Sequence, residues 1–183
     1  MGSAARAWRA GGCRWGGGPS GEPRRSGRPV FLSVGYATCH WCHVMERESF
    51  EDLEIAHLLN SRYVPIKVDR EERPDVDAIY MTAVQLLTGG GGWPMSVWLT
   101  PDREPFFGGT YFPPAPRHGL PSFRQVLEAV AQAYRERRTE VAESARQLVA
   151  AVRDSTELAP STEPLTDSVL GEASRNLRRI FDS

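Results

Sequence analysis

Hydrophobic positions along this chain fall into short runs of changing period. Val30, Phe31, Leu32, Ser33 and Val34, held between Pro29 and Gly35, form an apolar, β-branched run that predicts a buried strand. From Cys42 the pattern becomes helical, with Met45 and Leu53 on one face. Ser49-Phe50-Glu51-Asp52 has the shape of a capping box, so the helix is expected to break there and restart toward Asn60. Tyr63 to Asp69 predicts a second strand, and Pro65 within it argues for an edge position or an irregular start, because proline cannot donate to a ladder. Pro74 and Asp75 open a helix with the stripe Val76, Ile79, Tyr80, Ala83 and Leu87, ended by the glycines at 89–92.

Pro94 to Thr100 reads as a strand, Pro101-Asp102 as a tight turn, and Glu104 to Tyr111 as the hairpin partner. After Pro113 and Pro114 a single long helix is expected from about Ser122 to Arg153. It would span roughly 48 Å at 1.5 Å per residue. Its outer half, through Val141, Ala145, Leu148 and Val152, would then need a partner surface that the chain does not provide. Thr156 to Pro164 reads as a linker, and Leu165 to Phe181 as the opening of another helix carrying Val169, Leu170, Leu177 and Ile180. The order β-α-β-α-β-β-α predicts an α/β fold. Strands joined through helices pair parallel and the hairpin antiparallel, giving a central mixed sheet with helices on both faces.

Composition divides the chain unevenly. The 183 residues are 40% hydrophobic and 25% charged, the balance of a globular protein, with a net charge of -1. Residues 1–28 carry six arginines against one glutamate, and the rest carries 16 basic against 22 acidic side chains. The whole therefore has no basic field to hold nucleic acid or an anionic membrane, and neither partner is expected. The head holds eight of the 17 glycines and is expected to be disordered. It lacks the apolar core of a secretory signal. The Arg24-Arg25 pair has no hydrophobic segment to make it a twin-arginine signal. A mitochondrial transit reading suits the arginines, but the glycines would break the amphipathic helix it needs. A cytoplasmic location is expected. The domain reading is a head at 1–28, an α/β domain at 29–153, a linker at 154–164 and the start of a truncated helical domain at 165–183.

Three cysteines, Cys13, Cys39 and Cys42, are too few for a disulfide scaffold. Cys39 and Cys42 form a CxxC pair between a strand and a helix. There the unpaired N–H groups of the helix start stabilise a thiolate on the first cysteine, and the second lies close enough to resolve a mixed disulfide. His40 between them adds positive character. Trp93-Pro94, opening a strand after a glycine run, is a candidate cis bond in a loop able to offer backbone groups to an extended substrate.

The segments 31–43, 67–77, 91–95 and 108–114, which include Cys39-His40-Trp41-Cys42-His43 and Gly91-Gly92-Trp93-Pro94-Met95, resemble the thioredoxin-like domain of the spermatogenesis-associated protein 20 family. The resemblance covers roughly residues 29–153. It implies a thioredoxin-like fold, with Cys39 as nucleophile, Cys42 as resolving thiol and Pro94 as cis-proline. It also implies that a full-length member continues into an (α/α)-barrel resembling carbohydrate enzymes, and that the head is a false or alternative start. Two departures from ordinary thioredoxins stand out. Ser33 occupies the place of a buried aspartate that assists proton transfer, and Thr38 replaces the tryptophan before the first cysteine.

Other readings compete for the same residues. Cys39-His40-Trp41-Cys42-His43 also spells a c-type haem attachment sequence, but it lacks an export signal and a helical context. Zinc could be held by Cys39, Cys42, one of His40 or His43, and His57 or His118. Asp69, Glu71, Glu72, Asp75 and Asp77 form an acidic group that is better read as first-turn helix acids diluted by Arg70 and Arg73. Trp98, Phe106, Phe107, Tyr111 and Phe112 read as core and rim aromatics. No cofactor is expected. The reading favoured by the sequence is thiol–disulfide exchange through Cys39 and Cys42 on a protein or small-molecule disulfide, with His40, Trp41, Trp93 and Pro94 meeting the substrate. The alternative is a non-catalytic accessory domain of a larger barrel protein.

Overall fold

The computed structural model describes residues 25–117, 119–156 and 167–181. The expectations for residues 1–24, which include Cys13, for His118 and for residues 157–164 of the linker expected at 154–164 lie outside the described residues, while residues 154–156 belong to the helix that ends at Thr156. Among the described residues four strands form one sheet in the order β2-β1-β3-β4. Strand β1 (Val30–Gly35) is central, parallel to β2 (Val64–Asp69) and antiparallel to β3 (Met95–Leu99), which pairs antiparallel with β4 (Pro105–Gly109). Proline at position 65 is thus on an edge strand, where its missing donor costs nothing.

Strand β1 is apolar at nearly every position because both of its faces are covered. Val30, Leu32 and Val34 join Val64, Ile66, Val68, Met95, Val97 and Leu99 against Val76, Tyr80 and Val84 of helix α3 (Pro74–Thr88). The opposite face presents Phe31 and Trp98, with ring centroids 5.1 Å apart, to Met45, Phe50, Leu59, Tyr63, Phe123 and Leu127. Those come from helix α1 (His40–Met45), a π-helical turn (Glu46–Phe50), helix α2 (Leu53–Arg62), its C-cap residue Tyr63, and helix α4 (Phe123–Glu136). The Tyr63 hydroxyl donates to the Leu127 carbonyl and ties the junction of α2 and β2 to α4.

The expected single long helix is instead two. It breaks at Arg137, whose φ of -128° and ψ of 45° leave the helical region, and resumes as α5 (Arg138–Thr156). The break lays α5 against α3 and β4, so Val141, Ala145 and Leu148 are buried within the chain rather than awaiting an outside surface. The capping box also lies elsewhere. Asp52, in extended conformation, caps α2 by accepting from the Glu54 and Ile55 N–H groups, while Ser49 is buried in the π-helical turn. The genuine capping box is Ser122 with Gln125 at the start of α4. On α3 the buried side is Val76, Asp77, Tyr80, Ala83 and Val84, and Ile79 and Leu87 of the expected stripe are exposed. In the β3–β4 hairpin the Thr100 hydroxyl accepts from the Asp102 and Glu104 N–H groups, and Arg103 takes the left-handed turn position at φ 71°. Helix α6 (Asp167–Phe181) is present where a further helix was expected. Among the described residues no helix is long and apolar enough to cross a membrane.

Candidate functional site

Strand β1 delivers the chain to Tyr36, Ala37 and Thr38, and then to Cys39. The extended φ and ψ of Cys39 (-74° and 106°) make it the N-cap of α1, and its sulfur accepts the Cys42 N–H at 3.1 Å. The Cys39 N–H in turn donates to the Tyr36 carbonyl at 3.2 Å. Cys39 and Cys42 are joined in a disulfide with Cα atoms 5.2 Å apart. Cys39 is only 3% exposed, whereas Cys42 is half-buried. The Cys42 sulfur lies over Gly35, so close that a Cβ at that position would come within 2.9 Å of it. Absence of a side chain at Gly35 is what lets α1 sit on the end of β1.

The Trp93–Pro94 bond is cis. Val34 pairs with Met95, so the register carries Pro94 to the level of Gly35, beside the residue that supports the Cys42 sulfur. The structure therefore brings Cys39, Cys42, Trp93 and Pro94 to one end of the sheet. His40 and Trp41 join them on the outer face of α1, their rings 5.7 Å apart and Trp41 52% exposed. Ser33 is buried one residue pair below Gly35 on the same sheet face, opposite Ser96 of β3, whose hydroxyl is buried without a hydrogen-bond partner.

Two aromatic groups flank the dithiol, and their polar members were not singled out from the sequence as site residues. On one side Trp41 packs on Tyr111 at 5.3 Å. The Tyr111 hydroxyl donates to Glu48 and accepts from Arg117 Nη2 at 2.7 Å. Desolvation, and then the bond to the Glu48 carboxylate, push the Tyr111 phenol above its ordinary value. On the other side the Trp93 indole meets the Tyr36 ring edge-on at 5.8 Å and lies under the Arg70 guanidinium at 3.9 Å. The indole Nε1–H donates to Asp77 Oδ1 at 2.7 Å, and Arg70 Nε lies 3.2 Å from Asp77 Oδ2. Asp77, read from the sequence as a first-turn surface acid, is 6% exposed. A signal for it existed, since 77, 80 and 84 fall at the i, i+3, i+7 spacing of one helix face.

The remaining acids of that group are local. The Asp69 carboxylate accepts the Glu71 N–H, and Asp75 is paired with Arg73, whose hydrogen bond pulls the Asp75 carboxyl down to about 2. Among the described residues no group of three or more His, Cys, Asp or Glu side chains is gathered as metal ligands would be. His43 Nε2 donates to the Ala37 carbonyl at 2.8 Å, and His57 is exposed on α2, so neither converges with the cysteines. A groove of about 650 Å³ bounded by Phe106, Phe107, Val130, Ala133 and Val141 lies between β4, α4 and α5, and no residue of the dithiol or its flanking groups lines it.

The chain is similar in sequence to known proteins. Spermatogenesis-associated protein 20 of Rattus norvegicus is 44% identical over 166 residues, which is 91% of this chain and 21% of the relative. The Homo sapiens protein of the same name is 46% identical over 154 residues, 84% of this chain and 20% of the relative. This chain thus spans about a fifth of the length of the curated relatives it matches. A solved structure described as DsbH Oxidoreductase aligns with a TM-score of 0.45 and 14% identity, covering 64% of this chain and 79% of that one. Residues 11–153 match the family Thioredox_DsbH, described as "Protein of unknown function, DUF255". That match takes in the strand–helix junction with its two cysteines, the cis-proline loop and the whole four-stranded sheet, and on it the chain belongs to the thioredoxin-like Thioredox_DsbH family.

Proposed function

We propose that this chain is a thiol–disulfide exchange domain. In its reduced form the Cys39 thiolate attacks one sulfur of a substrate disulfide, forming a mixed disulfide and expelling the other substrate sulfur as a thiolate. The Cys42 thiolate then attacks the Cys39 sulfur, closing the intramolecular disulfide and releasing the second substrate sulfur. Two electrons pass from the dithiol to the substrate, and the two cysteine protons end on the released thiols. Run backwards, the same steps oxidise a substrate dithiol.

The observation that carries this reading is the position of Cys39 as the N-cap of α1, with the Cys42 N–H directed at its sulfur. A donor aimed at the sulfur and the positive end of the helix both favour the thiolate, which is the reacting species. The Trp93–Pro94 loop, level with the residue under the Cys42 sulfur, supports the same reading, because such a loop can offer backbone groups to an extended substrate. The test is reduction of insulin by the wild-type chain with dithiothreitol as the electron source. Turnover that Cys39→Ser abolishes supports exchange, and turnover equal to the uncatalysed rate rejects it.

A second reading is favoured by a separate observation. Cys39 is 3% exposed, and the buried residue beneath the dithiol is Ser33, whose hydroxyl does not ionise near neutral pH and so cannot take up and return a proton as a carboxylate can. On this reading the fold serves as a docking module within a larger protein that continues into a helical barrel. It predicts that the Cys39→Ala/Cys42→Ala double variant of the longer protein retains full cellular function.

A further inference from the structure

We propose that Asp77 and Arg70 are positioning residues that hold Trp93, and through it the cis-proline loop, in register with the dithiol for extended disulfide substrates. The proposal rests on the exchange reading above and deepens it.

Three side chains form a closed triangle. Each oxygen of the Asp77 carboxylate takes a different partner, the Trp93 indole N–H at 2.7 Å and Arg70 Nε at 3.2 Å. Those two partners also meet directly, with the guanidinium 3.9 Å from the indole ring centroid. The indole is thereby fixed both in its plane and across its face. Arg70 is itself anchored in the main chain, since its backbone N–H donates to the Gly35 carbonyl at 2.9 Å at the last residue of β1. Tyr36 completes the link. It touches the Trp93 edge and lies 5.7 Å from the Arg70 guanidinium, and its carbonyl accepts the Cys39 N–H. One continuous set of contacts therefore runs from Asp77 on α3, through Trp93 and Arg70, to the residue that sets the height of Cys39.

The chemistry of the triangle argues against simple packing. A carboxylate at 6% exposure carries a desolvation cost that an apolar residue would avoid, and filling space beside an indole needs no charge. What a paired carboxylate supplies is direction. It fixes the ring orientation of the residue directly before Pro94, which the strand register sets level with Gly35. Arginine suits the other corner because its planar head stacks on the indole while its Nε–H reaches the carboxylate, and lysine cannot do both. Backbone placement matters most for a substrate that must align with that loop, and little for a small disulfide that needs only the sulfur. A misplacement of about 1 Å can cost up to ~10²-fold in rate.

The test compares two substrates in the full chain, insulin and 2,2′-dithiodipyridine, for wild type, Asp77→Asn, Arg70→Lys and the double variant. The expected result is a fall of about tenfold in the insulin to dithiodipyridine ratio of kcat/KM in each single variant, carried by the insulin KM. The double variant should fall no further than the worse single one, because both act through Trp93. Arg73→Ala, which breaks an exposed pair with Asp75, should leave the ratio at the wild-type value. Equal losses on both substrates would assign the triangle a merely structural role and overturn the proposal, as would an unchanged ratio in Arg70→Lys. Arg70 is partly exposed, so that variant remains informative even if Asp77→Asn folds poorly. A wild-type chain that reacts with neither substrate would reject the exchange reading itself, an outcome distinct from either.

Discussion

Adding one methyl group at Gly35 is predicted to strain the oxidised dithiol and spare the reduced one. A Cβ built there lies 2.9 Å from the Cys42 sulfur and 3.5 Å from the Cys42 Cβ. A flexible side-chain tip could swing away from such a contact, but this sulfur is bonded to Cys39, which is fixed as the N-cap of α1. The end of β1 or the start of α1 must therefore shift, and overpacking of this kind costs about 1–3 kcal/mol. Once the S–S bond is broken the Cys42 side chain can turn away, so most of the cost belongs to the oxidised form. At about 1.4 kcal/mol per 30 mV, Gly35→Ala should make the pair more oxidising by about 20–65 mV. Equilibration in glutathione buffers of known potential, followed by alkylation and mass spectrometry, measures the potential. Urea denaturation of the oxidised and reduced forms measures the stability of each. Gly90→Ala is the control, since a Cβ there meets nothing within 4 Å. Equal potentials for Gly35→Ala and wild type, or equal destabilisation of the two redox forms, would refute the reasoning.

Three further predictions concern the scaffold. Tyr63→Phe leaves the Leu127 carbonyl without the hydroxyl that donates to it and should cost about 1–3 kcal/mol in chemical denaturation. Asp52→Ala removes the acceptor for two N–H groups at the start of α2 and should cost about 0.5–2 kcal/mol by the same assay, whereas Ser49→Ala removes no cap. Asp75 is held at about 2, below its ordinary 3.8, by the Arg73 hydrogen bond, so the pair's contribution is complete above 3.8 and disappears as pH falls through about 2. Carboxyl NMR titration should find that midpoint near 2 and find it back in the ordinary range in Arg73→Ala.

The sheet was legible in the sequence because its strands are short, apolar and bounded by proline or glycine, and because Pro65 marks an edge. The dithiol and the cis-proline were legible because CxxC and Trp-Pro carry their chemistry in adjacent residues. What escaped depends on contacts distant in sequence. No propline or glycine announces the break at Arg137, since apolar spacing continues across it, and only the surface offered by α3 and β4 turns α5 back. Ser49 and Asp52 both fit a helix start by residue type, and backbone conformation chooses Asp52. Asp77 looked like an ordinary first-turn acid because its partners, Trp93 and Arg70, lie on two other segments. The flanking group of Trp41, Tyr111, Glu48 and Arg117 is assembled across more than 60 residues in the same way.

The central claim is that Cys39 attacks and Cys42 resolves. Its most direct test is the reduced Cys42→Ser chain mixed with insulin and then quenched by alkylation, with adducts located by peptide mass spectrometry. The account predicts a stable mixed disulfide between an insulin chain and Cys39, which wild type forms only transiently. An adduct absent from Cys39, with insulin reduced equally by wild type and by Cys39→Ser, would contradict it.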